Sequence, residues 1–416
     1  MESITVHPRS HLDATVTIPG SKSCTARAMV MAALSPGVST LLEPADCDDS
    51  DYMLSGLRGL GVPAEKDAGR VILHGGAFVA PASPLFLGNS GTAMRFLGAA
   101  CATLDGEVVL DGTARMRERP IRDLVDALTL WGVAASTENA CPPLRIRSSG
   151  RFEGTTRIKG TASSQYLSGL LMVAPYASGR VEILVEGELV SKPYIDLTLA
   201  MMEERGVSAR HDDYRVFEVA SGTAYRPGTY AIEADASGAS YFLAAAAIAG
   251  GRVRVMNITT KSEQGDAQFV RVLGQMGCRI LEGPDWIEVQ SDGRLRGIDI
   301  DLNAMPDMAQ TLAVAAAFAD GPTHIRNVAN MRIKETDRIS AVVTELRKLG
   351  ADVEEFEDGM RISPRPLHGA EIDTYDDHRM AMSFAMAGLR VPGVVIRDPK
   401  CVTKTFPDFF ERFGRL

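Results

Sequence analysis

Aromatic residues are scarce in this chain, 6% of the total with two tryptophans. A core must therefore be built from Ala, Gly, Leu and Val, which lets helices and sheets approach closely. Positive charge is not in excess either. The formal net charge of −9 argues against general binding to nucleic acid or an acidic membrane surface. Long apolar runs are missing: stretches such as residues 242–249 fall far short of the ~18 residues needed to span a bilayer. Met1-Glu-Ser-Ile has no basic and apolar leader, so a cytoplasmic protein is expected. Cys24, Cys47, Cys101, Cys141, Cys278 and Cys401 are far apart with no CxxC, and read as reduced thiols. The seven histidines indicate no metal centre. Nucleotide loops are also missing. Gly88-Asn-Ser-Gly-Thr92 is neither GxGxxG nor GxxxxGK[ST], and no GxSxG elbow surrounds Ser163 and Ser164.

What is present is a repeat. In residues 305–321 Asp307 opens an alanine-rich helix that Gly321 stops; a β-branched strand and a dense run of charge follow. The same design begins at Ser21-Lys-Ser, Ser90-Gly-Thr, Ser163-Ser-Gln, Ala236-Ser-Gly, Asp307-Met-Ala and His378-Arg-Met. Those starts, residues 21, 90, 163, 236, 307 and 378, are spaced by 69, 73, 73, 71 and 71. A second helix in each repeat runs from Asp51, Asp123, Asp196, Asp266, Ala341 or Asp408 toward Gly61, Gly132, Gly206, Gly277, Gly350 or Gly414. A glycine at such a helix end suits the left-handed cap.

Length and repeat together predict an α/β protein of two similar domains, since 416 residues exceed what one core usually serves. Three repeats fall in residues 20–232 and three in 233–416. The turn-rich residues 221–228 mark the boundary. The alternating strand near residues 14–18 lies outside the first three repeats, so residues 1–19 are assigned to the second domain.

Helix N-termini carry unpaired N–H groups and bind anions. The residues placed at these starts are polar or cationic: Lys22, Ser23, Thr25 and Arg27; Asn89, Thr92 and Arg95; Ser163, Ser164 and Gln165; Arg379; and Lys404 close behind. Taken one at a time, each cation reads as a solvated surface charge. Recurring at equivalent places in an acidic chain, they point to small, multiply charged anions, with Arg suited to bidentate contact and Lys to point charge. Asp307 and the Lys334-Glu335-Thr336-Asp337-Arg338 run add acid and base.

At this point the motifs resemble a known family, the 3-phosphoshikimate 1-carboxyvinyltransferases, or EPSP synthases. The matching pieces are Pro19-Gly-Ser-Lys-Ser-Cys-Thr-Ala-Arg27, Leu87-Gly-Asn-Ser-Gly-Thr-Ala-Met-Arg95, Arg117-Glu-Arg-Pro120, Ser163-Ser-Gln165 and Ser191-Lys-Pro-Tyr-Ile-Asp196. Further on stand Met305-Pro-Asp307, Asn330-Met-Arg-Ile-Lys-Glu-Thr-Asp-Arg338, Asp377-His-Arg-Met-Ala-Met-Ser383 and Lys404-Thr-Phe-Pro407. The resemblance implies six βαβαββ units, three per domain, with helices inside and sheets outside in an inside-out barrel that closes on substrates in an interdomain cleft. It implies transfer of the enolpyruvyl group of phosphoenolpyruvate to the 5-hydroxyl of shikimate 3-phosphate, with release of phosphate by addition and elimination. The step is the penultimate one toward chorismate and the aromatic amino acids; it uses no metal or organic cofactor, and the enzyme is a monomer. Carried over position by position, Lys22, Ser23, Arg27, Ser163, Ser164, Ser191, Tyr194, Asp307, Asn330 and Lys334 would hold shikimate 3-phosphate. Lys22, Gly91, Arg119, Gln165, Arg338, Arg379 and Lys404 would surround phosphoenolpyruvate. Asp307, Glu335 and Lys22 would be catalytic.

The sequence departs from the family pattern at Cys24 and Ala26, where an aromatic or polar residue is common. It departs also at Ser90, Phe96 and Thr113-Ala-Arg-Met, but no assigned charge is lost. Gly91 matters for glyphosate, which takes the phosphoenolpyruvate place in this family. The related transferase acting on UDP-N-acetylglucosamine begins with a Lys-Asn pair and carries a loop cysteine. Here Ser23 follows Lys22, and Cys101 and Cys141 sit in other settings. A non-catalytic anion binder would leave Asp307 and Glu335 without a purpose.

Overall fold

The computed structural model describes residues 2–161 and 163–416. Met1, the first residue of the leader reading, lies outside the described residues. The chain divides into two compact units, Gly20–Ile232 and Met1–Pro19 with Glu233–Leu416.

In the unit of residues 20–232 the helices are α1 (Lys22–Leu34), α2 (Asp48–Gly59), α3 (Gly91–Ala100), α4 (Arg122–Leu130), α5 (Ser164–Val173) and α6 (Lys192–Glu204). Serine hydroxyls start α1, α3 and α5: Ser21 accepts from the Cys24 N–H, Ser90 from Ala93 and Ser163 from Gln165. Each satisfies a donor the helix itself leaves open. These three helices are buried at nearly every position, and their Ala, Gly and Ser content lets neighbouring elements pack closely against them. By contrast, α4 has one apolar stripe, Leu124, Val125, Ala127 and Leu128, as a helix half-covered by a sheet should.

The strands make three open sheets with one shared pattern. The orders are Thr229–Ala231, Gly37–Leu42, Arg70–Gly75, Ala64–Asp67; then Leu85–Phe86, Asp105–Asp111, Cys141–Ser149, Ala134–Glu138; then Gly154–Lys159, Val181–Glu186, Val216–Val219, Ala209–Asp212. In every sheet the first pair is parallel and the next two pairs are antiparallel.

The other unit repeats the scheme with α7 (Ala236–Ala249), α8 (Phe269–Gln275), α9 (Ala309–Ala316), α10 (Arg338–Lys348), α11 (His378–Ala385) and α12 (Phe409–Phe413). Its sheets run Leu12–Thr17, Gly251–Met256, Trp286–Ser291, Arg279–Glu282; then Asp299–Asp301, Thr323–Arg326, Gly359–Ser363, Asp352–Phe356; then Glu371–Ile372, Val394–Arg397, Ser3–Val6. Again a parallel pair leads each sheet. No sheet among the described residues closes on itself.

Three local expectations are corrected. Asp307 stands in a short 3-10 turn, Pro306–Met308, ahead of α9, and α9 ends at Ala316 well before Gly321. In five of the six repeats a hairpin follows the second helix. The glycines at 61, 132, 206, 277 and 350 do take positive φ, between 83° and 107°. Gly414, at φ −66°, stays right-handed.

Candidate active site

The first constellation lies in the unit of residues 20–232. Lys22 opens α1, and its Nζ is 3.1 Å from Asp49 Oδ2, a buried carboxylate in the first turn of α2. One turn on, Arg27 is 2% exposed. Its guanidinium donates to Thr198 Oγ1 (2.8 Å), Ser23 O (3.0 Å), Ser168 Oγ (3.3 Å) and Tyr194 O (3.1 Å). One donor of its five remains for a ligand. Burial pulls the Arg27 pKa down to about 10, so the group is still charged at neutral pH. The ring of Phe96, a departure from the family pattern, lies under this guanidinium at 5.3 Å.

Gln165, in the first turn of α5, accepts from Arg95 Nη1 at 2.6 Å and donates to Thr92 Oγ1 at 3.2 Å. Arg119 donates to the Asn89 backbone and side-chain oxygens at 3.1 and 3.2 Å. Gly91 gives that guanidinium its room: a Cβ there would sit 2.7 Å from Arg119 Nη2. Ser163 and Ser164 begin α5. Ser191 precedes α6 in left-handed backbone, φ 58°, where its hydroxyl makes no helix cap.

The second constellation lies in the other unit. Arg338 opens α10, is 2% exposed, and meets three carboxylates. Its Nε and Nη2 donate to Asp377 at 2.6 and 3.2 Å, its Nη2 to Glu335 at 2.8 Å and its Nη1 to Asp307 at 3.1 Å. Arg379, in the first turn of α11, donates to Asp307 Oδ2 (3.0 Å), Tyr241 Oη (3.2 Å) and Ser237 Oγ (3.3 Å). Lys334 lies 3.8 Å from Asp307 and Lys404 3.8 Å from Glu335.

Four cations thus surround three carboxylates. Burial alone would raise the Asp307 pKa, but Arg379, Lys334 and Arg338 outweigh it and hold the carboxyl well below its ordinary range. Asn330 Oδ1 is buried with no hydrogen-bond partner among the described residues, an acceptor left for a ligand donor.

Sequence reading missed Asp377 and Asp49 as partners. Asp377 is fully buried, grips Arg338 and also accepts from the Arg379 N–H at 2.9 Å as the cap of α11. Its signal was an Asp directly before a helix start. The six cysteines are free, and burial pushes the Cys47, Cys101 and Cys401 thiols up to about 11, 12 and 12. His7 and His11 lie exposed on either side of Pro8, in no helix that would align them. Among the described residues no helix is long and apolar enough to cross a membrane.

One unit carries buried carboxylates clasped by Arg and Lys, and the other carries serine-capped helix starts with buried cations; these are the groups of a protein that holds multiply charged anions and moves protons. Comparison with known proteins narrows this. The profile of the family EPSP synthase (3-phosphoshikimate 1-carboxyvinyltransferase) matches residues 6–413. The chain is 50% identical over 426 residues to the 3-phosphoshikimate 1-carboxyvinyltransferase of Yersinia pestis bv. Antiqua (strain Angola), covering 100% of this chain and 99% of that protein. It is 50% identical over 425 residues to that of Serratia proteamaculans (strain 568), with the same coverage. A solved EPSP synthase from Acinetobacter baumannii superposes with a TM-score of 0.82 at 28% identity, over 99% of this chain and 97% of that one. The chain belongs to the EPSP synthase family.

Proposed function

We propose that this enzyme transfers the enolpyruvyl group of phosphoenolpyruvate to the 5-hydroxyl of shikimate 3-phosphate, releasing phosphate. The observation that carries the reading is Asp307, held at once by Arg379, Arg338 and Lys334. Cations that grip a carboxylate in the free protein are the donors an incoming anion needs. When phosphoenolpyruvate takes Arg338 and Arg379, Asp307 loses its counter-charges and gains an anionic neighbour, and both changes raise its basicity. The base therefore becomes active when the substrate arrives.

In this reading Ser23, Arg27, Ser163, Ser164, Ser191, Tyr194, Asn330 and Lys334 hold shikimate 3-phosphate, with the unpartnered Asn330 Oδ1 accepting from a hydroxyl. Lys22, Gly91, Arg119, Gln165, Arg338, Arg379 and Lys404 hold phosphoenolpyruvate. Two anions repel, so this density of cations is what lets them be held in reacting geometry. In the addition, Asp307 takes the hydroxyl proton, the oxygen bonds to C2, and Glu335, which takes up a proton from solvent once phosphoenolpyruvate has drawn Arg338 from it, gives that proton to the C3 methylene. In the elimination, C3 returns a proton to Glu335. Phosphate departs with the proton from Asp307, so both carboxyls are restored. Lys22, paired with Asp49, stabilises the charge passing to phosphate. The finer architecture, six βαβαββ units with helices inside and sheets outside, is supported by α1, α3, α5, α7, α9 and α11 being buried along nearly their whole length. We further propose a cytoplasmic monomer.

A phosphate-release assay with phosphoenolpyruvate and either acceptor tests the reading. Release with shikimate 3-phosphate and none with UDP-N-acetylglucosamine is expected. The reverse preference would mean that the substrate reading is wrong.

A further inference from the structure

The connection between strand Glu371–Ile372 and α11 contains two successive residues in left-handed backbone, Tyr375 at φ 56° and Asp376 at φ 53°. Residues with a Cβ seldom take that conformation, and a pair in sequence persists only where the surroundings over-determine it. The next residue is Asp377, the buried partner of Arg338 and the cap beneath Arg379.

What holds the connection is Glu345, two turns along α10 from Arg338 and 0% exposed. Its Oε1 accepts from the Tyr375 O–H at 2.6 Å and its Oε2 from the Asp373 N–H at 3.1 Å. Lys348 Nζ closes the group, 2.9 Å from Glu345 Oε1 and 2.7 Å from Asp373 Oδ2. Only donors converge on this carboxylate, so an amide in its place would turn an N–H toward one of them. Tyr375 is 40% exposed, so its ring is not held by core packing alone. The mechanism above uses neither residue.

We infer that Glu345 and Tyr375 form a latch that ties the 373–377 connection to α10 and thereby sets Asp377, Arg338 and Arg379 for phosphoenolpyruvate. They are positioning residues, acting through Asp377. The latch binds the start of α11 to the same helix that carries Arg338, so the two arginines are placed relative to one another by a single buried carboxylate. This inference rests on the reading that Arg338 and Arg379 hold phosphoenolpyruvate.

The test is steady-state kinetics, with each substrate varied in turn, on the parent, Tyr375→Phe, Glu345→Gln and the double variant. Tyr375→Phe removes one hydroxyl and keeps the ring. It should raise the KM for phosphoenolpyruvate about three- to tenfold, while the KM for shikimate 3-phosphate stays within about twofold. A latch can be opened only once, so the double variant should be no worse than Glu345→Gln alone. An unchanged phosphoenolpyruvate KM in Tyr375→Phe would overturn the latch, as would parallel rises in both KM values or additive effects in the double variant. Should Glu345→Gln fail to fold, the split between the two KM values in Tyr375→Phe decides alone. A parent that does not turn over at all would instead remove the substrate reading, and the latch with it.

Discussion

Replacing Asp377 by alanine should destabilise its own unit by about 3 kcal/mol, and the figure follows from what the side chain does. It accepts two hydrogen bonds from Arg338, at 2.6 and 3.2 Å, and one from the Arg379 N–H at 2.9 Å as a helix cap. Bonds to a charged group contribute ~1.5–3 kcal/mol each and a cap about 1 kcal/mol. Breaking a buried ion pair costs ~3–5 kcal/mol when the remaining charge is uncompensated. Arg338 keeps Glu335 and Asp307, at 2.8 and 3.1 Å, so the loss belongs near the lower bound. For a unit of about 200 residues each kcal/mol shifts Tm by ~2–4 °C. Scanning calorimetry should therefore show a fall of about 6–12 °C in the transition of that unit. Asp377→Asn keeps an acceptor for the Arg379 N–H and drops only the charge, and should fall about half as far. A Tm for Asp377→Ala within about 2 °C of the parent would refute the idea that this carboxylate anchors Arg338.

Glu335→Ala should lower kcat by ~10²–10⁴-fold, while calorimetry finds the Kd for shikimate 3-phosphate changed by less than about tenfold; turnover near the parent rate would leave Glu335 only a structural partner of Arg338 and Lys404. Gly91→Ala puts a methyl 2.7 Å from Arg119 Nη2, and it should raise the glyphosate inhibition constant more than the phosphoenolpyruvate KM; equal changes in the two would contradict this. Stability should depend on pH through Asp307 with a definite sign. Its folded pKa is depressed, because Arg379, Lys334 and Arg338 outweigh burial. Its contribution is therefore complete above the unfolded carboxylate value of ~4 and is lost only as the pH falls toward the much lower folded value. The difference in unfolding free energy between parent and Asp307→Asn should thus be flat from about pH 7 to 5 and shrink below about pH 4; a difference that shrank on the alkaline side would contradict the depressed pKa.

Much of this was legible because the repeat is written in local chemistry. A serine or aspartate before a run of small residues announces a helix start, and five of the six terminal glycines take the left-handed backbone they suggested. What escaped was long-range or conformational. The partnership of Lys22 with Asp49 spans 27 residues, and that of Arg338 with Asp377 spans 39; no periodicity carries such contacts. Strand Ser3–Val6 is too short and too polar on one side to stand out, and it exists because Val394–Arg397 offers it an edge. The left-handed backbone of Ser191, which leaves its hydroxyl uninvolved in capping α6, has no signal in the residues around it. Pro306 opens the 3-10 turn at Asp307, and since proline suits the first turn of an α-helix equally well it does not announce which of the two forms.

The central claim is addition followed by elimination, and isotope exchange tests it most directly. Addition makes the C3 methylene of phosphoenolpyruvate a methyl group by bringing in one proton from the protein. Elimination then removes one of three hydrogens. Turnover with shikimate 3-phosphate in D₂O should therefore place deuterium in the vinyl group of the product, read by mass spectrometry or proton NMR. A product formed at the normal rate whose vinyl group carried only protium would contradict the mechanism, and with it the roles given to Asp307 and Glu335.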